Sequence, residues 1–130
     1  MYGQSNSNSN VPTAASVSPY QVMGVAKQTK VLRCIFDLET TGLSRKKDDI
    51  VEISAQLMIE KELLEEGLFH SLVKPRMKIP MDASAIHGIT DERVERYPTF
   101  DVIGQKFMDH LETNNPSSLP IELVACIQWP

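Results

Sequence analysis

The sequence is poor in cysteine and has no surplus of positive charge. Its 130 residues include only two cysteines, Cys34 and Cys126, which lie far apart and without the spacing of a metal site. This usage argues against a disulfide framework and suits a reducing compartment. Thirteen basic residues against 17 acidic ones give a net charge of −4. That balance argues against a protein that coats nucleic acid by charge alone, but it leaves room for an enzyme that gathers carboxylates around a cation.

The N-terminal residues do not predict a secretory leader. Residues 1–10 are polar and have neither the charged start nor the apolar run of a signal peptide or a transmembrane segment. We therefore expect an intracellular protein of the cytoplasm or nucleus, neither secreted nor inserted in a membrane.

Residues 1–29 are expected to form a disordered tail. Residues 4–10 are low-complexity serine and asparagine, and Pro12 and Pro19 interrupt the rest of this segment. Such sequence cannot bury enough apolar surface to offset the entropy lost on ordering. The alternative is that this tail is a tether or binds a partner protein.

At Val31 the composition changes, and a folded domain is predicted over residues 30–130. The apolar run 31–36 fits a buried strand that ends at Asp37. After it we expect strands at 50–59 and 64–73, a helix at 82–87, a longer helix from Thr99 whose core face is Phe100, Ile103, Phe107 and Leu111, and a strand at 121–127. This order indicates an α/β fold with a mixed sheet, in which three strands are antiparallel and the last is parallel to the first across a helical crossover.

Asp37 and Glu39 stand one residue apart where the first strand is expected to end. Side chains at such spacing on a strand share a face, so the two carboxylates would repel each other unless a cation lay between them. Ligands that are all oxygen favour Mg²⁺ or Mn²⁺, and such an ion can activate water and neutralise charge on a phosphate. A pair of solvated carboxylates at a strand end is the simpler interpretation of the same residues.

The residues around this pair resemble the first motif of the proofreading-type 3′–5′ exonucleases, the DnaQ-like or DEDD superfamily with a ribonuclease H-like fold. The matching string is Phe-Asp-Leu-Glu-Thr-Thr-Gly-Leu, residues 36–43. The later segments that match in the same order are residues 50–55, 86–90, 98–100 and 122–125. The resemblance covers roughly residues 31–125.

The resemblance implies hydrolysis of DNA or RNA from its 3′ end by a two-metal mechanism with Mg²⁺ or Mn²⁺. Asp37 and Glu39 would be the catalytic metal ligands, and Glu39 would also contact the attacking water. The residues that the resemblance places at the 3′-terminal nucleotide are Thr40, Thr41, Leu43 and His87. Turn residues, one core leucine and a structural histidine are the alternative interpretation of these positions.

The resemblance ends at Ala125. There the family continues into a Phe-Asp pair whose aspartate is a third metal ligand, whereas this sequence reads Cys-Ile-Gln-Trp-Pro over residues 126–130. We therefore expect a partial domain without the C-terminal part of the fold and the later catalytic motifs, so its activity as an enzyme is left open. A non-catalytic nucleic-acid-binding or interaction fragment of the same family is the alternative function.

Two further features have mainly structural interpretations. The basic run Arg-Lys-Lys at residues 45–47 attracts phosphate in principle, but Asp48 and Asp49 come directly after it. That order favours a solvated loop of mixed charge. His110, on the longer helix, is expected to face solvent.

If residues 1–29 form no core, limited proteolysis should trim the chain to near Lys30 and leave the folded remainder intact, as measured by mass spectrometry. Protection of residues 4–19 from the protease would contradict a disordered tail.

Overall fold

The computed structural model describes residues 30–126, so the predicted tail lies outside the described residues. Within them the chain forms four strands and three helices. Their bounds are β1 Leu32–Thr40, β2 Ile50–Ile59, β3 Glu62–Leu72, α1 Met81–His87, α2 Asp91–Val94, α3 Phe100–Thr113 and β4 Ile121–Ala125. In this part of the chain no helix has the length and apolar character needed to cross a membrane.

The strands form one mixed sheet in the order β3-β2-β1-β4. β1 pairs with β2 and β2 with β3 in antiparallel fashion, while β4 runs parallel to β1. A tight turn joins β2 to β3, and α3 carries the chain across the sheet to β4, as a parallel connection requires. The predicted mixed sheet is confirmed, and β1 lies in its interior.

β1 is longer than the sequence predicts. The apolar run 31–36 predicts a strand that ends at Asp37. In the structure Asp37 and Glu39 still pair with Ser54 and Glu52 of β2, and the register shifts only beyond Glu39. Cross-strand pairing therefore overrides the low strand propensity of the two acids.

α3 packs on one face of the sheet. Every second side chain of β2 from Val51 to Leu57 is buried, which is the alternation of a strand with one covered face. Ile103 and Leu111 of α3 are buried against this face, and Phe107 packs beside them. The prediction that Phe100 faces the core is wrong, because this first residue of the helix is 45 % exposed.

His110 does not face solvent as predicted. It is half-buried, its Nε2 lies 3.2 Å from the Gly67 carbonyl oxygen, and its ring centroid is 5.3 Å from that of Phe69. A glycine in β3 has no side chain to keep the helix away from its carbonyl, so the ring reaches the backbone of the sheet. Spacing along one helix could not show this, because the neighbour belongs to a distant strand.

A second cluster holds α1 and α2 against the sheet. Its buried members are Val51, Leu72, Ile79, Ala83, Ile89 and Val94. Gly88 ends α1 with φ of 74°, and its N–H donates to the Ser84 carbonyl at 2.7 Å, so the predicted glycine stop is confirmed. This cluster places the C-terminal end of α1 beside the end of β1.

The loop after β1 is tied to the segment after β3 by an ion pair. The Asp49 carboxylate accepts hydrogen bonds from Arg76, at 2.7 Å from its backbone N–H, 3.1 Å from Nε and 2.7 Å from Nη2. Thr41, in the same loop, is 2 % exposed, and its hydroxyl accepts from the Asp49 N–H at 2.9 Å. The position of the loop is therefore set by the ion pair with Arg76 after β3 and by the hydrogen bond between Thr41 and Asp49 within the loop itself.

The hydrogen bond from the Arg76 side chain lowers the pKa of Asp49, so the pair stabilises the fold above the unfolded pKa of about 3.9 and loses this effect as the pH falls through the folded pKa. Asp49→Asn should lower the Tm at pH 7 by about 2–4 °C, a modest loss because Arg76 is largely exposed to water. Thermal unfolding by circular dichroism, at neutral pH and below the folded pKa, measures it.

Arg76→Gln is the matched variant for this test. It should lower the Tm at pH 7 by a similar amount. The Tm of the double variant should be little lower than that of either single variant, because both substitutions remove the same interaction. Additive losses, or the same loss below the folded pKa, would contradict a stabilising ion pair.

Candidate active site

Asp37 and Glu39 lie on one face of the sheet near the C-terminal end of β1. Their partners on β2, Ser54 and Glu52, are also two residues apart, and the antiparallel register is unbroken between the two pairs. Cys34 is an odd number of residues away from both acids, so its side chain projects from the other face of β1, where it is buried in the cluster that includes Leu111 of α3. The two carboxylates therefore project from the face that α3 does not cover, as their spacing predicts.

The carboxylate of Glu39 is in an unfavourable electrostatic environment. Burial raises its pKa most, and the nearby charges of Asp37 and Glu52 raise it further, while His87 lowers it. A divalent cation at this position relieves the repulsion, and the oxygen-only donors suit a hard ion such as Mg²⁺ or Mn²⁺. The residues present therefore fit a metal, although the described residues contain no group of three or more histidine, cysteine or acidic side chains arranged to hold one.

Glu52 is an acidic residue beside the candidate site that the sequence argument missed. It lies directly opposite Glu39, and its Oε2 is 2.6 Å from Nε2 of His70 on β3. The signal was present in the sequence, because the apolar residues at 51, 53, 55 and 57 leave Glu52 on the other face of β2. Which residue of β1 it meets depends on the register, which the pattern of one strand does not give.

His87 fixes the end of β1 against α1. Its Nδ1 accepts from the Ile89 N–H at 3.1 Å, so the neutral ring carries its proton on Nε2, which donates to the Thr40 carbonyl at 3.0 Å. Both ring nitrogens are thus used by the backbone, which is the arrangement of a structural histidine. A contact of His87 with a nucleotide stays a prediction.

The two threonines that come after Glu39 differ in accessibility. The Thr40 hydroxyl donates to the Gly42 carbonyl at 2.5 Å, and Thr40 is half-buried. The buried Thr41 hydroxyl donates to Asp48 Oδ1 at 2.9 Å and accepts from the Asp49 N–H. Thr41 therefore supports the loop, and its contact with a nucleotide also stays a prediction.

Leu43 is fully exposed at the start of the β1–β2 loop. The alternative that it is a core leucine is therefore wrong, because it contributes to none of the buried clusters of the described residues. The structure thus brings Asp37, Glu39, Thr40 and His87 together at one end of β1, and leaves an apolar side chain free on the adjoining loop.

Since burial and Asp37 raise the pKa of Glu39, its contribution to stability is present below the unfolded pKa of about 4.3 and is lost as the pH rises through the folded pKa. In metal-free buffer Glu39→Gln should therefore raise the Tm at pH 7 by about 1–2 °C and change it little near pH 4. Differential scanning calorimetry measures both. Glu66→Gln, at an exposed position, is the control; a Tm lowered at pH 7 by Glu39→Gln would contradict the unfavourable charge.

The sequence matches parts of DNA polymerase III proteins. The chain is 35% identical over 83 residues to the DNA polymerase III subunit epsilon of Pasteurella multocida, covering 60% of this chain and 32% of that protein. It is 40% identical over 78 residues to the epsilon subunit of Rickettsia felis, covering 59% of this chain and 34% of that one. A PolC-type DNA polymerase III of Clostridium perfringens is 37% identical over 75 residues, which are 58% of this chain and 5% of the polymerase. The chain spans about a third or less of these relatives' length.

The fold matches solved nucleases. The nuclease domain of 3′hExo, a DEDDh family member solved with rAMP, superposes with a TM-score of 0.61 at 23% identity, covering 75% of this chain and 52% of that one. Cell-death related nuclease 4 superposes with a TM-score of 0.62 at 20% identity, and the match covers 72% of this chain and 34% of that one. These identities support the ribonuclease H-like fold alone.

The RNase T family model, described as an exonuclease, matches residues 34–116, which is more than half of the chain. The chain therefore belongs to this exonuclease family.

Proposed function

We propose that this domain takes part in removing nucleotides from the 3′ end of DNA or RNA, by phosphodiester hydrolysis assisted by Mg²⁺ or Mn²⁺. The observation that carries the proposal is the placement of Asp37 and Glu39 on one open face of β1, with the pKa of Glu39 raised by burial and by Asp37. Membership in the exonuclease family supports the same reaction.

Asp37 and Glu39 are the proposed metal ligands, and Glu39 also orients the attacking water. When bound, the divalent cations activate that water and neutralise the charge that develops on the phosphate. Leu43 offers its exposed side chain to the terminal base, and Thr40 approaches the terminal nucleotide. His87 keeps the backbone at Thr40 in position through its hydrogen bond to the carbonyl.

A two-metal site needs more carboxylates than the described residues place there. Cations roughly 4 Å apart are held by several shared carboxylates, together with a base positioned on the water. Within residues 30–126, Asp37 and Glu39 share this face with Glu52, and Glu52 is engaged by His70. We therefore propose that the 130-residue chain binds metal weakly and hydrolyses nucleic acid slowly by itself.

Two solved relatives in fold support nucleic acid as the ligand. The 3′hExo nuclease domain is bound to rAMP, and exonuclease X, with a TM-score of 0.53 and 24% identity, is in complex with DNA that has a 5′ overhang. Hydrolysis from a 3′ end releases nucleoside 5′-monophosphates, so a site of this kind holds such a product through both its base and its metal-bound phosphate.

The test is coupled binding of metal and product. Mn²⁺ measured by electron paramagnetic resonance should bind the 130-residue chain with a Kd on the order of millimolar, since a half-site competes poorly with water for the ion. AMP should bind at least about tenfold more tightly when Mn²⁺ is present. The double variant Asp37→Asn/Glu39→Gln should lose both effects.

The matched control is Glu66→Gln/Asp82→Asn, which changes the charge equally at exposed positions and should bind like the unchanged chain. Hydrolysis of single-stranded DNA or RNA labelled at its 5′ end should stay near that of the Asp37/Glu39 variant. Removal of several parts of a catalytic unit typically abolishes most of the rate. Robust trimming from the 3′ end that Asp37→Ala abolishes would contradict the weak activity proposed for this chain.

A non-catalytic nucleic-acid-binding role is the second candidate, and the small number of carboxylates at the site favours it. It predicts that oligonucleotide and AMP bind equally well with and without Mn²⁺. That result, with no effect of the Asp37/Glu39 variant on metal binding, would overturn the proposal of a metal-dependent site.

A further inference from the structure

In the loop between β1 and β2, the acidic side chains are used in contacts within the protein and the basic side chains are exposed. We define the basic turn as residues 44–48, Ser-Arg-Lys-Lys-Asp. The Asp48 N–H donates to the Ser44 carbonyl at 2.9 Å, and the Asp48 carboxylate accepts from the Ser44 N–H at 2.8 Å. The turn is thus closed by hydrogen bonds at both ends, which gives its tip a defined position.

The two aspartates of the loop are used internally. The carboxylate of Asp48 accepts from the buried Thr41 hydroxyl and lies over Gly42, where an added Cβ would come within 2.5 Å of its Oδ2. The carboxylate of Asp49 is held by Arg76. Neither acid is therefore free to pair with the cations between them and Ser44.

The three cations of the turn remain accessible to solvent. Arg45, Lys46 and Lys47 are all exposed, and none forms an ion pair among residues 30–126. The sequence favoured a solvated loop of mixed charge, and in this respect the structure differs. Because folding turns the aspartates inward, the exposed side of the turn carries three adjacent positive charges on a chain of net charge −4.

The basic turn adjoins the candidate active site. Arg45 is six positions after Glu39, so their Cα atoms lie at most about 22 Å apart. The fully exposed Leu43 lies between them. Along the chain the order is carboxylates, an apolar side chain and three cations, which suits a 3′-terminal nucleotide followed by the phosphates of its own strand.

We propose that the basic turn binds the phosphodiester backbone of the strand whose 3′ end lies at Asp37 and Glu39. The inference rests on the proposed function for the location of that 3′ end. Arg45, Lys46 and Lys47 neutralise phosphates, and contacts to phosphate carry no sequence information. The turn thus contributes affinity for longer strands and none for a mononucleotide.

The test compares two charge variants of the full chain in Ca²⁺ or EDTA, where hydrolysis is absent. The variant is Arg45→Gln/Lys46→Gln/Lys47→Gln. The control is Lys30→Gln/Lys61→Gln/Lys106→Gln, which removes the same charge at exposed positions elsewhere on the chain. Fluorescence anisotropy with a labelled single strand of about twelve nucleotides gives the Kd over a range of salt concentrations.

Each phosphate contact adds about −0.7 to the slope of log K against log salt for a single strand. The basic-turn variant should therefore lose about 2 units of slope and bind the long strand at least tenfold more weakly at low salt. Its affinity for a dinucleotide should change less than twofold, and the control should keep the slope and affinity of the unchanged chain. An equal loss in both variants would overturn the proposal, because it would show a nonspecific effect of net charge.

The outcomes separate this inference from the proposed function. If the basic-turn variant keeps its slope while Asp37 and Glu39 still couple Mn²⁺ to AMP, the turn proposal is wrong and the function stands. If that coupling is absent but the slope still falls, the turn binds backbone without the proposed metal site. If polyglutamate competes as strongly as the oligonucleotide, the assignment to nucleic acid is wrong. The assignment is also wrong if neither the unchanged chain nor any variant binds the long strand.

Discussion

The pairing of β1 with β2 is the constraint on which the site depends. Antiparallel register sets Glu39 opposite Glu52 and Asp37 opposite Ser54, so the acidic side chains of both strands project from the same face. A shift of one residue would turn Asp37 and Glu39 towards α3, where two carboxylates would lie in an apolar core. The register that buries the hydrophobic residues is therefore also the register that assembles the charges.

The packed face of the sheet offsets the electrostatic cost of the charged face. Leu32, Cys34 and Leu57 are completely buried in the cluster with α3. Full burial of an aliphatic side chain contributes roughly 1.5–3 kcal/mol, so the packed face tolerates a glutamate whose pKa is raised by its surroundings. Such local conflicts are commonly found where a protein binds a ligand, which agrees with a metal site on the open face.

The loop after β1 shows how packing changes the meaning of a sequence. In the chain, Arg-Lys-Lys followed by two aspartates has nearly balanced charge. In the fold, Asp49 binds Arg76 from a segment 27 residues away and Asp48 binds Thr41, which leaves the basic residues alone on the surface. The partners of the aspartates lie across the loop or on another segment, so the charges of the run alone could not indicate the separation.

The sequence by itself determined the order of the four strands, the two longer helices, the mixed sheet, the glycine that ends α1 and the shared face of Asp37 and Glu39, because these depend on local periodicity and spacing. It did not predict the short helix α2. Only the tertiary structure decided that β1 continues to Thr40, that Glu52 lies opposite Glu39, and that His110 packs on Phe69. The physical reason is common to all three: each depends on a neighbour from another strand or helix, and the distance between such partners along the chain carries no local signal.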